Sequence, residues 1–559
     1  QVTNKMKAVL ALDSLARREN VAAVSHLKTQ IIEQSQEYVI ERVAYIWFNR
    51  FCALRFMDVN HYSPVGVVSP IEGQSQPEIL ADAKAGHIDS ELIPSSTRQK
   101  VNDLLTNKIP SVNPQAEAYR LLLVAACNYW NPVMPFLFER IDDYTELLMP
   151  DDLLSDQSIL ARLRSSMTAE DCVDVEIIGW LYQFYISEKK DKVFDDLKKN
   201  KKITPENIPA ATQLFTPHWI VRYLVENTLG HLWMLNHPDS NLVNQMDYYI
   251  KPEAPEHDYL RVKTPEEIKV CDPACGSGHV LVYAFDLLYA IYEEEGYDAS
   301  DIPTKILVNN LFGIEIDERA GELAAFALMM KARSKQRLLF RKQIYPNICV
   351  MENVKFDAGE LKDYMSFIGR DFFTLQLQNT LLQFEEADNF GSLISPDLAN
   401  VESMSLFLNR KNAGADLFLN KTHQKVIKVL DQVEYLQSKY QVIVANPPYM
   451  GSKGMNSRLG TWAKENYPNN KADLYSMFVE RILMMLQKSG YAGVMTPFTW
   501  MFLTSFEFLR STLLKNHAIT SLVRPEYHSF FDSAYVPICG FTILNQNASN
   551  LSGSFIDLN

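Results

Sequence analysis

This sequence predicts an α/β fold: a largely parallel sheet with helices on both faces, preceded by a mainly helical N-terminal domain. Three observations carry that prediction. Short apolar runs end in an acid or amide beside glycine, proline or a helix start, at Ile268–Asp272, Leu311–Asp317 and Tyr440–Asn446. Stretches with helical apolar spacing separate them, the alternation that builds parallel sheets. Residues 1 to about 205 carry helical patterns of their own, with no comparable strand. The expected division is therefore a helical domain over 1–205 and a second domain over 206–559, interrupted by a polar, helix-prone insertion at about 360–435.

Composition bounds the function. At 559 residues the chain exceeds one ordinary domain, and 47% hydrophobic residues suffice for well-buried cores. No apolar run approaches the roughly 20 residues of a membrane span, and no membrane partner is expected; seven cysteines without a C-x-x-C pair point to reduced thiols, so a cytoplasmic protein is expected. Cys271 and Cys275 lack the second cysteine pair or nearby histidine pair that would complete a tetrahedral site, and no metal is expected. The net charge of -14 is opposite to a simple nucleic-acid footprint. A nucleic-acid substrate would need basic residues gathered on one face.

In chain order, Glu37–Val59 is the strongest helix, crowded with Trp47, Phe51, Leu54 and Phe56; with Leu121–Ala126 and Ile177–Tyr185 it reads as the core of a helical domain. Lysines at 189, 190, 192, 198, 199, 201 and 202 form either a solvated face or an edge that contacts phosphates. Thr216 and Pro217 then look like a helix start, Thr216 capping and Pro217 at the first helical position. A helix start is also an anion site.

The run Val270-Cys271-Asp272-Pro273-Ala274-Cys275-Gly276-Ser277-Gly278 reads as strand, glycine turn and helix start. Gly276 and Gly278 let the backbone approach a ligand closely. No Gly-Lys-Ser/Thr follows, and the three-glycine dinucleotide spacing is absent. Asp272 at the strand end suits a ligand with ammonium and hydroxyl groups, and S-adenosylmethionine fits better than a dinucleotide. Glu315, at the end of the second run, is placed to accept hydrogen bonds from a ribose, with Asp317 as a helix cap or a further ligand group. A third strand at Ile348–Met351 ends at Glu352 and Asn353, either of which could meet the adenine amine of such a ligand.

Asn446-Pro447-Pro448-Tyr449 follows a buried strand and precedes Gly451 and Gly454. The two prolines fix φ and remove two N–H donors, so the Asn446 amide and the Pro447 carbonyl are held with few local partners. Two acceptors on the hydrogens of a nucleobase amine would localise its lone pair, and Tyr449 offers a face for stacking. A base reaches such a loop only when flipped from the duplex. The plain alternative is a tight turn. Further on, Phe530, Phe531 and Tyr535 precede another strand, Ile538–Leu544, and Phe531 could supply the second face of a base sandwich.

Taken in order, Phe-Thr-Pro (215–217), Asp-Pro-Ala-Cys-Gly-Ser-Gly (272–278), Gly-Ile-Glu-Ile-Asp (313–317) and Asn-Pro-Pro-Tyr (446–449) resemble the γ-class amino-methyltransferases that act on DNA adenine. Residues 47–57 and 179–184 resemble the helical part of the PglX-type methyltransferases of BREX phage-defence systems and of related single-chain restriction-modification enzymes. The resemblance implies a Rossmann-like methyltransferase sheet and transfer of methyl from S-adenosylmethionine to N6 of a flipped adenine. It implies Asn446, Pro447, Pro448 and Tyr449 at the reacting amine, Tyr449 and Phe531 against the base, and Thr216, Asp272, Pro273, Ala274, Gly276, Gly278, Glu315, Asp317 and Glu352 around the cofactor. The implied partners are double-stranded DNA, other phage-defence proteins and phage-encoded DNA-mimic inhibitors. Such proteins usually continue into a target-recognition region, whereas this sequence stops at Asn559, so sequence-specific reading of DNA is expected to need residues outside it. Three other readings stay open: a glutamine or RNA amine as acceptor, the methyltransferase portion of a single-chain type II restriction-modification enzyme, and a DNA- or partner-binding scaffold with bound cofactor and no turnover.

Overall fold

The computed structural model describes residues 1–139, 144–199, 201–214, 216–252, 256–369, 372–411, 416–526, 537–548 and 551–559. Two compact units emerge. One is Gln1–Leu181 with Phe340–Tyr345, the other Tyr182–Leu339 with Pro346–Asn559. Their boundary falls inside the helix Glu176–Lys198, whereas the sequence division was drawn at about 205.

The first unit is helical and built around Gln36–Val59, whose Trp47, Phe51, Cys52, Leu54 and Met57 are buried. Several polar groups carried inside with that helix are hydrogen-bonded to backbone, as most buried donors are. Trp47 Nε1 donates to the Thr145 carbonyl at 3.0 Å and Arg50 Nε to the Leu137 carbonyl at 3.1 Å. The buried Asp58 carboxylate accepts the N–H groups of Val67, Val68 and Ser69. Phe340 joins this unit through edge contacts to Trp130 and Tyr62.

The second unit carries one sheet: β1 Val270–Asp272, β2 Leu311–Glu315, β3 Asn347–Val350, β4 Tyr440–Ala445, β5 Leu486–Pro497, β6 Ala518–Arg524, β7 Ile538–Leu544 and β8 Ser554–Asp557. Their order is β3-β2-β1-β4-β5-β7-β6-β8. β7 runs antiparallel to both β5 and β6; the other pairings are parallel. β4 and β7 are almost wholly buried, which is why both read as near-continuous apolar runs. β6 and β8 have no counterpart in the sequence reading. β6 mixes polar and apolar residues and carries a register shift between Ile519 and Ser521, so its periodicity is broken.

Chain order reverses between β1 and β4, the switch point where open parallel sheets bind ligands. Because β1, β2 and β4 are parallel, Asp272, Glu315 and Asn446 emerge on the same edge. The insertion between β3 and β4 is helical, from Ala358–Ile368 to Leu417–Gln437. Its inner part reaches the glycine turn: buried Ser392 donates its hydroxyl to the Pro273 carbonyl. Among the described residues no helix is long and apolar enough to cross a membrane.

Candidate active site

The glycine turn is fixed to β2 by backbone. Cys275 N–H donates to the Ile314 carbonyl at 3.1 Å, and Gly276 N–H to Glu315 Oε2 at 2.7 Å. Glu315 Oε1 also accepts the N–H groups of Ile316 and Asp317. Gly276 and Gly278 both take positive φ, +53° and +83°. They differ in surroundings. A Cβ on Gly278 would lie 2.9 Å from Ala324 Cβ, because the turn packs on the helix Glu318–Lys335; on Gly276, among the described residues beyond its chain neighbours, it would come within 4.0 Å of Gln213 Nε2 alone. One glycine permits packing and the other leaves an open face.

Two carboxyl groups flank this turn, that of buried Asp272 and that of half-buried Glu315. Asp272 accepts the Ala274 N–H at 3.0 Å, and burial, aided by the negative charge of Glu315, pushes its pKa up to about 8. Burial raises Glu315 to about 7, against the pull of the backbone N–H groups it accepts. Asp317 receives the Tyr182 hydroxyl and the Arg319 N–H, capping the helix Glu318–Lys335. Glu352 is exposed and ion-paired with Lys428, while Asn353 Oδ1 accepts the Asp388 N–H at 3.0 Å.

Thr216 does not cap a helix. The helix starts at His218, Pro217 occupies the cap position with an extended ψ of 137°, and Ile220, Val221, Leu224 and Val225 are buried as expected. The Thr216 hydroxyl is fully buried and has no hydrogen-bond partner among the described residues. The segment that carries it reaches the proline loop directly: Asn446 Nδ2 donates to the Leu214 carbonyl at 3.0 Å. The Tyr449 hydroxyl donates to Asn446 Oδ1 at 2.6 Å, and it also lies 3.1 Å from the Met495 carbonyl. Pro447 is buried and Pro448 half-buried.

Several residues that hold this site were not foreseen. Asp473 Oδ1 accepts the N–H groups of Met450 and Tyr475, at 3.0 and 3.3 Å. Leu474 N–H donates to the Met450 carbonyl and Ser452 N–H to the Ala472 carbonyl, so the chain after Tyr449 is paired along residues 472–474. Burial raises the Asp473 pKa to about 6. Tyr475 then meets Tyr449 edge-on, with ring centroids 6.2 Å apart and planes at 88°. In the sequence Asp473 reads only as the start of a helix, which it also is. The lysine cluster divides. Lys198 and Lys201 pair with Asp195 and Asp196, while Lys190 donates to the Gln213 carbonyl at 3.0 Å and Lys202 to the Lys453 carbonyl. Phe215, Phe530, Phe531 and Tyr535 lie outside the described residues.

The geometry sets a close-approach turn flanked by the Asp272 and Glu315 carboxyl groups beside a proline-stiffened loop bearing an amide. Residues 309–531 match the family model of the Eco57I restriction-modification methylase, and residues 258–348 that of the MmeI DNA-methyltransferase domain. The chain is 39% identical over 544 residues to the adenine-specific methyltransferase BrxX of Escherichia coli O9:H4 (strain HS), covering 91% of this chain and 44% of that protein. It is 35% identical over 540 residues to the adenine-specific methyltransferase PglX of Lacticaseibacillus casei (strain Zhang), with the same coverage, 91% and 44%. It thus spans less than half the length of the curated relatives it matches. The solved structure of the ATP-dependent Type ISP restriction-modification enzyme LlaBIII bound to DNA overlaps 98% of this chain and 31% of that one, at 12% identity and a TM-score of 0.40, a likeness of outline only.

Proposed function

The chain belongs to the family of adenine-specific methyltransferases that contains BrxX and PglX, and we propose from that premise that it is the catalytic part of a DNA adenine N6-methyltransferase. In this reading it uses S-adenosylmethionine and double-stranded DNA, in a BREX-type defence system that marks self DNA. Other proteins of that system and phage-encoded DNA mimics are its further proposed partners. The single observation that carries the reading is the hydrogen bond from Asn446 Nδ2 to the Leu214 carbonyl, which ties the amide of the proline loop to the segment beside the glycine turn.

The residues present fit the cofactor. An open Gly276 face, a buried Thr216 hydroxyl with no hydrogen-bond partner among the described residues, and the Asp272 and Glu315 carboxyl groups of raised pKa suit a ligand that is a cation, an amino acid and a nucleoside at once. Thr216, Asp272, Pro273, Ala274, Gly276, Gly278 and Glu315 would hold it, with Asp317 and Glu352 as outer supports. When bound, it supplies an electrophilic methyl group on sulfur.

The protein's contribution is orientation and polarisation of the amine. Asn446 Oδ1 would accept one hydrogen of the adenine N6 amine and the Pro447 carbonyl the other, drawing electron density onto nitrogen. To do so Asn446 Oδ1 exchanges its Tyr449 hydroxyl for the amine, which leaves the Tyr449 ring facing the base. The amine proton departs after transfer, so no strong base is required at the nitrogen; positioning supplies the rate. The test is incubation with methyl-labelled S-adenosylmethionine and adenine-containing duplex. Label in N6-methyladenine supports the reading; cofactor binding without any transfer, including in the presence of the system's other proteins, overturns it in favour of a scaffold.

A further inference from the structure

Three lysines from separate stretches of the chain meet just past the proline loop. The strap that follows Tyr449 pairs with residues 472–474: Leu474 N–H donates to the Met450 carbonyl at 3.1 Å and Ser452 N–H to the Ala472 carbonyl at 3.0 Å, with Gly451 and Asp473 bridged antiparallel between them. Lys453 and Lys471 stand one residue beyond the second of these bonds, one on each side. The third comes from the end of the 189–202 cluster. Lys202 Nζ donates to the Lys453 carbonyl, and Ile203 N–H to the Gly454 carbonyl at 3.1 Å, which fastens the two segments together. All three lysines are exposed.

Their charges are unanswered. None of the three forms an ion pair among the described residues, whereas Lys198 and Lys201 pair with Asp195 and Asp196. Asp473, inside the strap, is turned onto the N–H groups of Met450 and Tyr475. Like charges held close repel, and a chain of net charge -14 has acids to spare for pairing. Backbone bonds gather these lysines instead, which leaves a concentrated positive field for an anion from outside.

We propose that Lys202, Lys453 and Lys471 form a phosphate-binding site that holds the DNA backbone beside the nucleotide whose base enters the Asn446 loop. The inference rests on the DNA reading above and says where an acidic chain takes hold of an acidic polymer. A base swung out of the duplex stays joined to its own phosphates, so the backbone beside it passes close to the loop that takes the base. The strap carrying Lys453 starts at the residue after Tyr449. Lysine meets a phosphate as a point charge, and such contacts position the duplex without reading its sequence.

The experiment is titration of the full chain, alone and with the system's other proteins, with a fluorescent DNA duplex over a series of salt concentrations. The logarithm of affinity falls with that of salt by about 0.9 for each phosphate neutralised. Replacing the three lysines together, Lys202→Gln, Lys453→Gln and Lys471→Gln, lowers that slope by about 2.7 and leaves the dissociation constant of S-adenosylhomocysteine unchanged. The control, Lys198→Gln with Lys201→Gln, removes lysines already paired and keeps the wild-type slope. A wild-type slope in the triple variant, or an equal fall in the control, overturns the assignment. So does a triple variant that keeps duplex binding and loses only poly-L-glutamate, which would give the site to an acidic protein. Wild type that binds no duplex overturns the DNA reading itself, a different failure.

Discussion

The two sides of the sheet edge solve opposite problems. Around the glycine turn, buried Asp272 and half-buried Glu315 repel each other and both carry raised pKa values. Around Asn446 the groups facing the loop are neutral: an amide, a tyrosine hydroxyl and the Leu214 and Met495 carbonyls, with the Asp473 carboxyl turned onto backbone N–H groups. One side is poised to receive positive charge, the other to orient a neutral group that has hydrogens to give. Rigidity differs as well. Tight packing of glycine on a helix fixes the turn, whereas prolines and a short paired segment fix the loop.

The largest expected effect separates the two glycines of the turn. Gly278→Ala forces an unfavourable φ and drives a Cβ to 2.9 Å from Ala324 Cβ, a cost of about 3 kcal/mol seen as a lowered melting temperature and lost cofactor binding. Gly276→Ala meets the φ penalty alone, about 1 kcal/mol. Equal destabilisation by the two would break the description of one packed and one open glycine. Next, Asp473→Ala removes the acceptor of two backbone N–H groups and costs about 2 kcal/mol; turnover falls at least tenfold with cofactor affinity unchanged, and Asp473→Asn restores most of it. A parallel loss of cofactor affinity would erase the distinction between the two sides.

A pH titration comes third. Folded Asp272 at about 8 and Glu315 at about 7 lie above the ordinary unfolded carboxyl value near 4. Their protonated forms therefore favour the folded state at low pH, and that contribution is lost as pH rises from roughly 4 through 8. A cationic ligand favours the ionised carboxylates, so its affinity increases by up to about tenfold per pH unit for each group that must ionise as pH climbs from 6 to 8. Ligand-free melting temperature and ligand affinity should thus move in opposite directions across that window. The smallest effect belongs to Tyr449→Phe. It loses a hydrogen bond worth about 1 kcal/mol and keeps the ring, so transfer changes by less than about tenfold.

How much of this was legible depended on where each residue's partner lies in the chain. β1, β2 and β4 were readable because apolar runs ended in Asp272, Glu315 and Asn446, and buried parallel strands leave that mark. The pairing of 450–452 with 472–474 was not, since neither segment has strand periodicity and Asp473 satisfies every rule for a helix cap. Thr216 looks like a cap for the same kind of reason, yet the extended Pro217 displaces the helix start and leaves the hydroxyl with no partner among the described residues. Ser392 was invisible because its use, a bond to the Pro273 carbonyl, arises only when the insertion folds back across 119 positions.

The most direct measurement compares Asn446→Ala with wild type, by cofactor titration and by single-turnover methyl transfer to adenine in duplex DNA. The account predicts a dissociation constant for S-adenosylmethionine within about twofold and a transfer rate lower by about a thousandfold, the scale of losing a preorganised polar contact at a reacting atom. Transfer at the wild-type rate by Asn446→Ala would contradict it.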